Sequence, residues 1–439
     1  MKRIVIALTA TTLLAGCGIF SGSSSPGTPT VGERISVLGG EAGVLADPEL
    51  ADVPVIVPAP VVNTEWTQSG GSASKSMGHL SLGSAPAAAW SVGIGQGSGN
   101  KARLASAPIV ADGRIYTIDT QAVIRALNPQ NGAVIWQTQL RGEGASAETL
   151  FGGGVSFANG RIYATNGAGD AGALDAATGS VIWRVRPGGP LRGSPTIGSP
   201  NVYVVSQDNQ LFALNEATGE SLWTRSGSVE ASGVFGSAAP AFAQSTVVAG
   251  YSSGELTAYR YENGQEVWSD ALARTTVTTS VHALTDIDAD PVIDQGRVYA
   301  IGQGGRMVAL ELNTGQRLWE LNIAGIATPW VAGDWVFVVT DAGQLLAIAR
   351  ASGRIRWISQ LRRYRDVEDR RGPVTWHGPV LAGNRLVLVN TLGQIAYVSP
   401  VDGSLLGTLD TRAPISLPPV VANNTLYILD DNGRLTAWR

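Results

Sequence analysis

One pattern of apolar and turn-forming positions recurs along the chain. An apolar strand end is followed by a turn closed by Gly, and then by a second strand whose Trp comes four residues after that Gly. Its first copy runs from Ala126 to Trp136. The Gly and Trp positions of the copies are Gly132 and Trp136, Gly179 and Trp183, Gly219 and Trp223, Gly264 and Trp268, Gly315 and Trp319, and Gly353 and Trp357. A seventh copy keeps Gly403 but has no Trp.

Each residue type in this unit has a local reason. Asn128 or Asp175 at the start of the turn can fold its side chain back onto backbone N–H groups two residues on. The Gly supplies the positive φ that a hairpin loop of this length needs. After the turn, Val134 and Trp136 share one strand face. The repeated register makes these Trp residues structural rather than ligand-stacking side chains, because their large rings can fill the gap between neighbouring sheets.

The spacing of the copies predicts the architecture. The turn glycines are about 40 to 50 residues apart, which suits the four-stranded blade of a β-propeller. A first strand that often starts with Pro, as at Pro195-Thr196-Ile197, precedes a second such as Asn201-Val202-Tyr203. The third strand runs into the turn, as at Gln210 to Leu214. We therefore predict an all-β protein.

The two ends of the repeat region set the number of blades. Asn432 to Arg439 reads as a third strand, and no fourth strand follows it. Ala88 to Val92 reads as a fourth strand with its Trp and has no third strand before it. If the N-terminal strand completes the C-terminal blade, no sheet edge is left free at the seam. Residues 85–439 are then an eight-bladed β-propeller with four antiparallel strands per blade.

Composition agrees with a chain rich in turns. It has 55 Gly and 12 Trp, and only 15% of its residues are charged. The net charge of −4, without an extended basic block, gives no reason to expect nucleic-acid binding.

The N-terminus predicts export. Residues 1–16 have a basic start and a short apolar run, as a signal peptide does. Leu14-Ala15-Gly16-Cys17 resembles the lipobox of bacterial lipoproteins, which implies cleavage before Cys17 and its lipidation. The alternative is an ordinary signal peptide with an incidental Cys. Gly18 rather than Asp follows, so the resemblance implies an outer-membrane anchor facing the periplasm. We interpret residues 17–84 as the lipidated N-terminus and a flexible tether.

Candidate catalytic chemistry is sparse. Cys17 is the only cysteine, so its lipidation would leave no thiol for a disulfide, a metal or a nucleophile. His79, His282 and His377 are far apart and have no ligand spacing. We predict no catalytic residues, no metal site and no cofactor.

The repeat Ala-Leu-Asp-x-x-Thr-Gly-x-x-x-Trp at Ala173 to Trp183 resembles that of quinoprotein-type propellers. Two groups carry it in eight-bladed form. They are periplasmic dehydrogenases that use pyrroloquinoline quinone and the BamB family of outer-membrane β-barrel assembly lipoproteins. The dehydrogenases need a Ca²⁺ site and an Asp base, and many have vicinal cysteines, which this chain lacks. The resemblance to BamB implies a non-catalytic scaffold.

Two stretches resemble the loops through which that family contacts the POTRA domains of BamA. Asp286, Ile287 and Asp288 precede a strand that starts with Pro, and the carboxylates would meet basic or amide groups of the partner. From the residues alone, an Asx-rich turn or a chance Ca²⁺-like string is the alternative. The second stretch contains Val234, Phe235 and Gly236. Family members have an Arg where Phe235 stands, so an apolar contact is expected here.

An Arg-rich insert interrupts the repeat at residues 362–371. Arg362, Arg363, Tyr364 and Arg365 are possible partner-binding residues. The alternative is a solvated loop or a short exposed helix with internal ion pairs.

The resemblance to the BamB family implies a subunit of the assembly complex that binds BamA through its POTRA domains. Other subunits, unfolded outer-membrane proteins and the membrane, through the N-terminal lipid, are the further expected partners. The subunit would orient the POTRA domains or offer a sheet edge to incoming strands. A quinone-dependent dehydrogenase and a generic envelope adaptor remain the alternatives.

Overall fold

Eight four-stranded antiparallel sheets form the fold, which confirms the predicted eight-bladed propeller. The computed structural model describes residues 44–191, 193–228, 238–272 and 285–439. Within these ranges, helical structure consists of two short 3-10 turns, Pro48–Leu50 and Ala147–Thr149. No helix in the described part of the chain has the length and apolar character needed to cross a membrane.

The blades are numbered along the chain, and the strands of each run from first to fourth. Blades 1 and 2 consist of Ile109–Ala111, Arg114–Ile118, Val123–Leu127 and Val134–Gln139, then Val155–Ala158, Arg161–Thr165, Ala171–Asp175 and Val181–Val185. Blades 3 and 4 consist of Thr196–Gly198, Asn201–Val205, Gln210–Asn215 and Ser221–Ser226, then Ala241–Ala243, Thr246–Gly250, Glu255–Arg260 and Glu266–Ala271. Blades 5 and 6 consist of Val292–Asp294, Arg297–Ile301, Met307–Glu311 and Arg317–Leu321, then Trp330–Ala332, Trp335–Val339, Gln344–Ala349 and Ile355–Gln360. Blades 7 and 8 consist of Trp376–Ala382, Arg385–Asn390, Gln394–Val398 and Leu405–Asp410, then Val420–Ala422, Thr425–Leu429, Arg434–Trp438 and Ala88–Gly93.

The first strands surround the central axis, because those of successive blades pack against one another. Second and third strands are almost entirely buried, whereas fourth strands such as Val134–Gln139 are largely exposed. We call the side on which each fourth strand connects to the next blade the loop face. The opposite side, where first and second strands are joined, is the turn face.

The ring closes as predicted. Ala88–Gly93 pairs antiparallel with Arg434–Trp438, with Val92 opposite Leu435. Ala87 and Arg439 extend the ladder by exchanging backbone hydrogen bonds of 2.7 and 2.9 Å. The last blade therefore combines both ends of the repeat region and leaves no free edge between them.

The repeated Trp joins each blade to the next. Its indole N–H donates to a backbone carbonyl in the third-to-fourth-strand turn of the following blade, at 2.7 to 3.1 Å. The pairs are Trp90 to Pro129, Trp136 to Ala176, Trp183 to Glu216, Trp223 to Tyr261, Trp268 to Leu312, Trp319 to Arg350 and Trp357 to Pro400. The Trp residues are thus structural links between blades, in agreement with the sequence.

The turn glycine also leaves space for the Trp ring of the preceding blade. At Gly403, φ is +74°, and a Cβ would lie 2.6 Å from Cε3 of Trp357. The ring of one blade therefore lies directly on the turn of the next. A residue with a side chain would be disfavoured here both by backbone conformation and by lack of space.

The N-terminal segment differs from the predicted tether over its described part, residues 44–84. Asp47 accepts a hydrogen bond from Arg354 at 2.5 Å, and its N–H donates to the carbonyl of Ile355 in blade 6. Trp66 and Leu80 are buried in the core. The segment has no sustained periodicity because it forms no sheet of its own and is held by the propeller at single positions.

Residues 61–83, which we call the plug, lie across the turn-face end of the channel and contact every blade. Backbone hydrogen bonds join them to the first strands, or to the turns that follow them, in six blades. These are Asn63 to Asn423, Trp66 to Val110, Thr67 to Phe157, Ala73 to Phe242, Ser74 to Ile293 and Leu80 to Leu381. Side chains complete the circle, since Gln68 bonds to Ile197 and Trp330 bonds to Gly78.

Several predictions fall outside the described residues and stay predictions. They concern the signal peptide at 1–16, Cys17, the tether up to residue 43, and the loop residues Val234, Phe235 and Gly236.

Candidate functional site on the loop face

A cavity of about 490 Å³, which we call the central cup, occupies the channel above the plug. Its floor includes Trp66, Gln68 and Lys75 of the plug. Its walls come from residues that precede or begin the first strands, such as Pro108 and Ala239. The cup is therefore closed towards the turn face by the plug, and its mouth lies among the connections of the loop face.

The loop at Asp286 to Asp288 is built into the wall between blades 4 and 5. The N–H of Ile287 donates to the Tyr251 carbonyl at 3.2 Å, and the N–H of Gln303 donates to the Asp286 carbonyl at 2.9 Å. Ile287 packs against Gly250, where an added Cβ would lie 2.5 Å from Cγ2 of Ile287. Asp286 and Ile287 are only 1% and 2% exposed. Neither offers its side chain to a partner in this arrangement.

Asp288 is the more accessible of the predicted acidic pair. It is half-buried and lines the central cup, and its carboxylate accepts a 2.7 Å hydrogen bond from Nε2 of Gln303. Of the two carboxylates that we expected to project from an extended loop, Asp288 is the one that is partly accessible.

The third aspartate of the string, Asp290, faces inward. Its carboxylate accepts from Oγ of Ser69 at 2.6 Å and from the N–H of Ala239 at 2.7 Å. Burial raises its pKa, and the positive charge of Lys75 opposes that rise. Asp290 thus links the plug to blades 4 and 5, a role that needs the folded ring and has no local signal in the sequence.

The Arg-rich insert forms a β-hairpin rather than a solvated loop or a helix. Its strands are Tyr364–Asp366 and Arg371–Pro373, with Tyr364 opposite Pro373. Arg362 lies at its base and donates to the Tyr364 carbonyl at 3.0 Å, while its own carbonyl accepts from Nε1 of Trp376 at 2.8 Å.

Outside that base, the hairpin exposes a mixed, Arg-rich surface. The guanidinium of Arg363 stacks over the Tyr364 ring at 5.3 Å. Arg365, Val367 and the neighbouring acidic residues are exposed. A surface of this kind has polar and apolar groups available for a protein partner.

The structure brings the hairpin and the acidic loop together. A second cavity, of about 300 Å³, is lined by Gln303 on one side and by Arg363 and Tyr364 on the other. Gln303 is also the hydrogen-bond donor to Asp288. Asp288, Gln303 and the hairpin therefore form one continuous area of the loop face, which we call the loop-face site.

Lys75 was not identified from the sequence. It is 2% exposed, and its ammonium donates to Oγ1 of Thr196 at 3.2 Å. Burial lowers its pKa to about 8, an effect that the nearby Asp290 partly offsets. The only available signal was a lysine in a stretch that otherwise consists of Gly, Ser and Ala.

The described residues contain no group of three or more His, Cys, Asp and Glu side chains arranged to hold a metal ion. His79 is engaged in the structure, where its ring nitrogens contact the Pro58 carbonyl and the Asn384 N–H. His282 lies outside the described residues.

Comparison with known proteins identifies the family. The family model described as outer membrane protein assembly factor BamB matches residues 87–150 and 120–359, well over half of the chain. The chain belongs to the BamB family. The BamB protein of Vibrio cholerae is 35% identical over 65% of this chain and 69% of its own length. That of Yersinia pestis is 24% identical over 100% of this chain and 98% of its own length.

Solved structures agree on the fold. BamB from Moraxella catarrhalis superposes with a TM-score of 0.67 at 20% identity, covering 81% of this chain and 99% of that protein. A europium-containing methanol dehydrogenase gives 0.68 at 13% identity, covering 83% and 89% of the two chains. Identities this low establish the propeller fold and do not distinguish a BamB from a dehydrogenase. The family match makes that distinction.

Proposed function

We propose that this protein is a non-catalytic subunit of the outer-membrane β-barrel assembly complex. In this role it binds BamA and assists the folding and insertion of outer-membrane proteins. The observation that carries the proposal is the match to the BamB model across the repeat region, since relatives that span the whole chain are named as assembly factors.

The loop-face site is the surface that we assign to BamA. It combines the half-buried Asp288 carboxylate and Gln303 with the exposed side chains of the 364–373 hairpin. A POTRA domain with basic or amide groups would meet the carboxylate, and its acidic groups would meet Arg365. Asp286 and Ile287 support this surface from beneath, because both are buried in the wall between blades 4 and 5.

The anchoring part of the proposal concerns Cys17. Lipidation at this residue would hold the propeller at the inner face of the outer membrane, facing the periplasm. With Cys17→Ser, the protein should move from the membrane fraction to the soluble periplasmic fraction. Retention of the variant in the outer-membrane fraction in cells that lack BamA would refute the lipid anchor.

The decisive experiment is co-purification of BamA from solubilised envelopes. Wild-type protein should capture BamA, and Asp288→Lys or Arg365→Glu should reduce the yield at least about tenfold, which corresponds to about 1.4 kcal/mol. Arg260→Glu is the matched control, since Arg260 is exposed on the turn-face side of blade 4. It should capture BamA like the wild type.

The outcomes separate the function from the site. If the wild type fails to capture BamA, the assembly function is wrong. If the loop-face variants capture as much BamA as the control does, only the assigned surface is wrong. Dye reduction by the purified protein that depends on calcium and pyrroloquinoline quinone would instead establish a dehydrogenase.

A further inference from the structure

The central cup has the form of a ligand pocket. It is closed at one end by the plug, and its volume of about 490 Å³ lies within the range of small-molecule sites in proteins. The floor belongs to the plug and the walls to the blades, so the pocket exists only when both are assembled.

One side of the cup is apolar. Trp66 of the plug stacks on Trp330 of blade 6, with ring centroids 6.1 Å apart and an interplanar angle of 18°. The Trp330 indole N–H is already used, since it donates to the Gly78 carbonyl at 2.7 Å. Pro108, Pro379 and Pro418 line the cup as well. This side offers a flat apolar surface, which suits an aromatic ring or a branched aliphatic group.

Two carboxylates also line the cup, and both have partners already in place. Asp290 accepts hydrogen bonds from Ser69 and from the backbone of Ala239. Asp288 accepts one from Gln303. Neither group needs a cationic ligand to satisfy it.

Lys75 is less fully satisfied. In the described part of the chain its ammonium has one hydrogen bond, to the Thr196 hydroxyl, which itself donates to the Pro240 carbonyl at 2.5 Å. An ammonium has more donors than this bond uses. Asp290 acts on Lys75 through its charge, but no carboxylate of the described residues forms a direct ion pair with it. A buried, cup-lining cation with unused donors favours an acceptor in the cup.

His377 also lines the cup, and its imidazole has no hydrogen bond to another described residue. Burial lowers its pKa to about 4, so it is neutral near pH 7. A neutral imidazole adds one donor and one acceptor and no charge. Arg103 adds a positive charge that also acts on Asp431. The polar groups of the cup that are not fully hydrogen-bonded within the described residues are therefore mainly hydrogen-bond donors.

We propose that the central cup binds a carboxylate carried on an apolar group. The carboxylate accepts from the Lys75 ammonium, and the apolar group packs against Trp66 and Trp330. A peptide C-terminus with a large apolar last residue and a free aromatic acid both have this chemistry. The groups that would hold this ligand, Lys75, Trp66 and Trp330, lie outside the loop-face site, although Asp288 and Gln303 line the cup and belong to that site as well.

Isothermal titration calorimetry on the purified chain tests the proposal with matched probes. N-acetylphenylalanine should bind at least about tenfold more tightly than N-acetylphenylalaninamide, which differs in the charge of the terminal group. Lys75→Met should remove this preference. Lys101→Met is the control, because Lys101 is exposed and does not line the cup, and it should retain the preference.

A second variant covers the case in which Lys75→Met does not fold. Ala105 lines the cup and is half-buried, so Ala105→Trp should fill the cup and abolish binding of the acid. Circular dichroism establishes that each variant is folded.

Further probes distinguish the source of the carboxylate. Binding of acetyl-Gly-Gly-Phe but not of 4-phenylbutyrate identifies a peptide C-terminus, and the reverse identifies a small free acid. The proposal is overturned if no acid binds at millimolar concentration. It is also overturned if acid and amide bind equally, or if folded Lys75→Met and Ala105→Trp bind the acid like the wild type.

Discussion

The contact between the turn glycine of one blade and the Trp of the preceding blade can be tested by a double-mutant cycle at Gly403 and Trp357. Gly403→Ala adds a Cβ that would lie 2.6 Å from Cε3 of the Trp357 ring. Gly296→Ala is the control. Gly296 has a φ of +75°, against +74° at Gly403, and a Cβ there would meet nothing within 4 Å. The two substitutions therefore carry the same backbone penalty and differ in the contact.

The expected magnitudes follow from these geometries. A non-glycine residue in the left-handed region costs about 1–2 kcal/mol, which is the whole effect expected for Gly296→Ala. Gly403→Ala should cost a further ~1–3 kcal/mol, because the new methyl group overpacks against the indole. Trp357→Ala should cost about 3–5 kcal/mol, since the ring is only 5% exposed and its N–H donates to the Pro400 carbonyl at 3.1 Å.

The double variant isolates the contact. Without the indole, Gly403→Ala should cost only the backbone term, so the two substitutions should be less than additive by about 1–3 kcal/mol. Denaturant unfolding followed by circular dichroism measures the four free energies of the cycle and that of the control. The packing explanation is refuted if Gly403→Ala and Gly296→Ala cost the same free energy, or if the two substitutions of the double variant are fully additive. The positive φ would then be the only reason for the Gly that recurs in the turns of this chain.

Three further predictions concern the plug and the central cup. For Lys75, a folded pKa of about 8 against an ordinary 10.5 means that the unfolded chain binds more protons between these values. The free energy of unfolding, measured in urea, should therefore rise from pH 8 to 9.5 for the wild type. In Lys75→Met it should not rise over this pH range. For His377, a folded pKa of about 4 against 6.5 predicts stability lost as pH falls from 6.5 to 4, by at most about 3 kcal/mol. In His377→Gln the free energy of unfolding should fall less steeply between pH 6.5 and 4. Identical pH profiles for the variant and the wild type would contradict the lowered pKa of His377. Trp66→Ala should cost about 3–5 kcal/mol and expose the plug to limited proteolysis before the ring unfolds, whereas simultaneous cleavage throughout the chain would count against a separate plug.

The fold could be predicted from the sequence because its signal is local and repeated. Each turn has its own Gly, and each fourth strand except that of blade 7 has its Trp. A copy that departs from the pattern can therefore still be assigned from the spacing of the other copies. Ring closure was also predictable, since Ala88 to Val92 and Asn432 to Arg439 are incomplete in complementary ways. The plug was not predictable, because its contacts are single residues that bond to blades far away in sequence. The one feature of this stretch that is unusual for a flexible tether is Trp66, which comes shortly before the glycine pair at 70–71.

The candidate site was predictable in position more than in detail. The interruptions of the repeat located the acidic loop and the Arg-rich insert, and both lie on the loop face. The sequence did not show that Asp286 is buried while Asp288 lines the central cup, because alternate positions in an extended loop carry no fixed direction without the wall behind them. It also gave no means of pairing Asp288 with Gln303, which comes from a different part of blade 5.

The missing Trp of the seventh repeat follows from the way the ring closes. Gly407 in blade 7 pairs with Tyr397, as Trp136 pairs with Ala126 in blade 1, so Gly407 occupies the Trp position. A Trp there would have to donate to a third-to-fourth-strand turn in blade 8. In blade 8 the third and fourth strands, Arg434–Trp438 and Ala88–Gly93, come from distant parts of the chain and are not joined by a turn. In the other blades this turn supplies the carbonyl that accepts the indole N–H and the glycine that packs beneath the ring, so a Trp at Gly407 would lack both of these contacts. The repeat without a Trp is therefore the one that precedes the split blade, where the Trp would lack its two usual contacts.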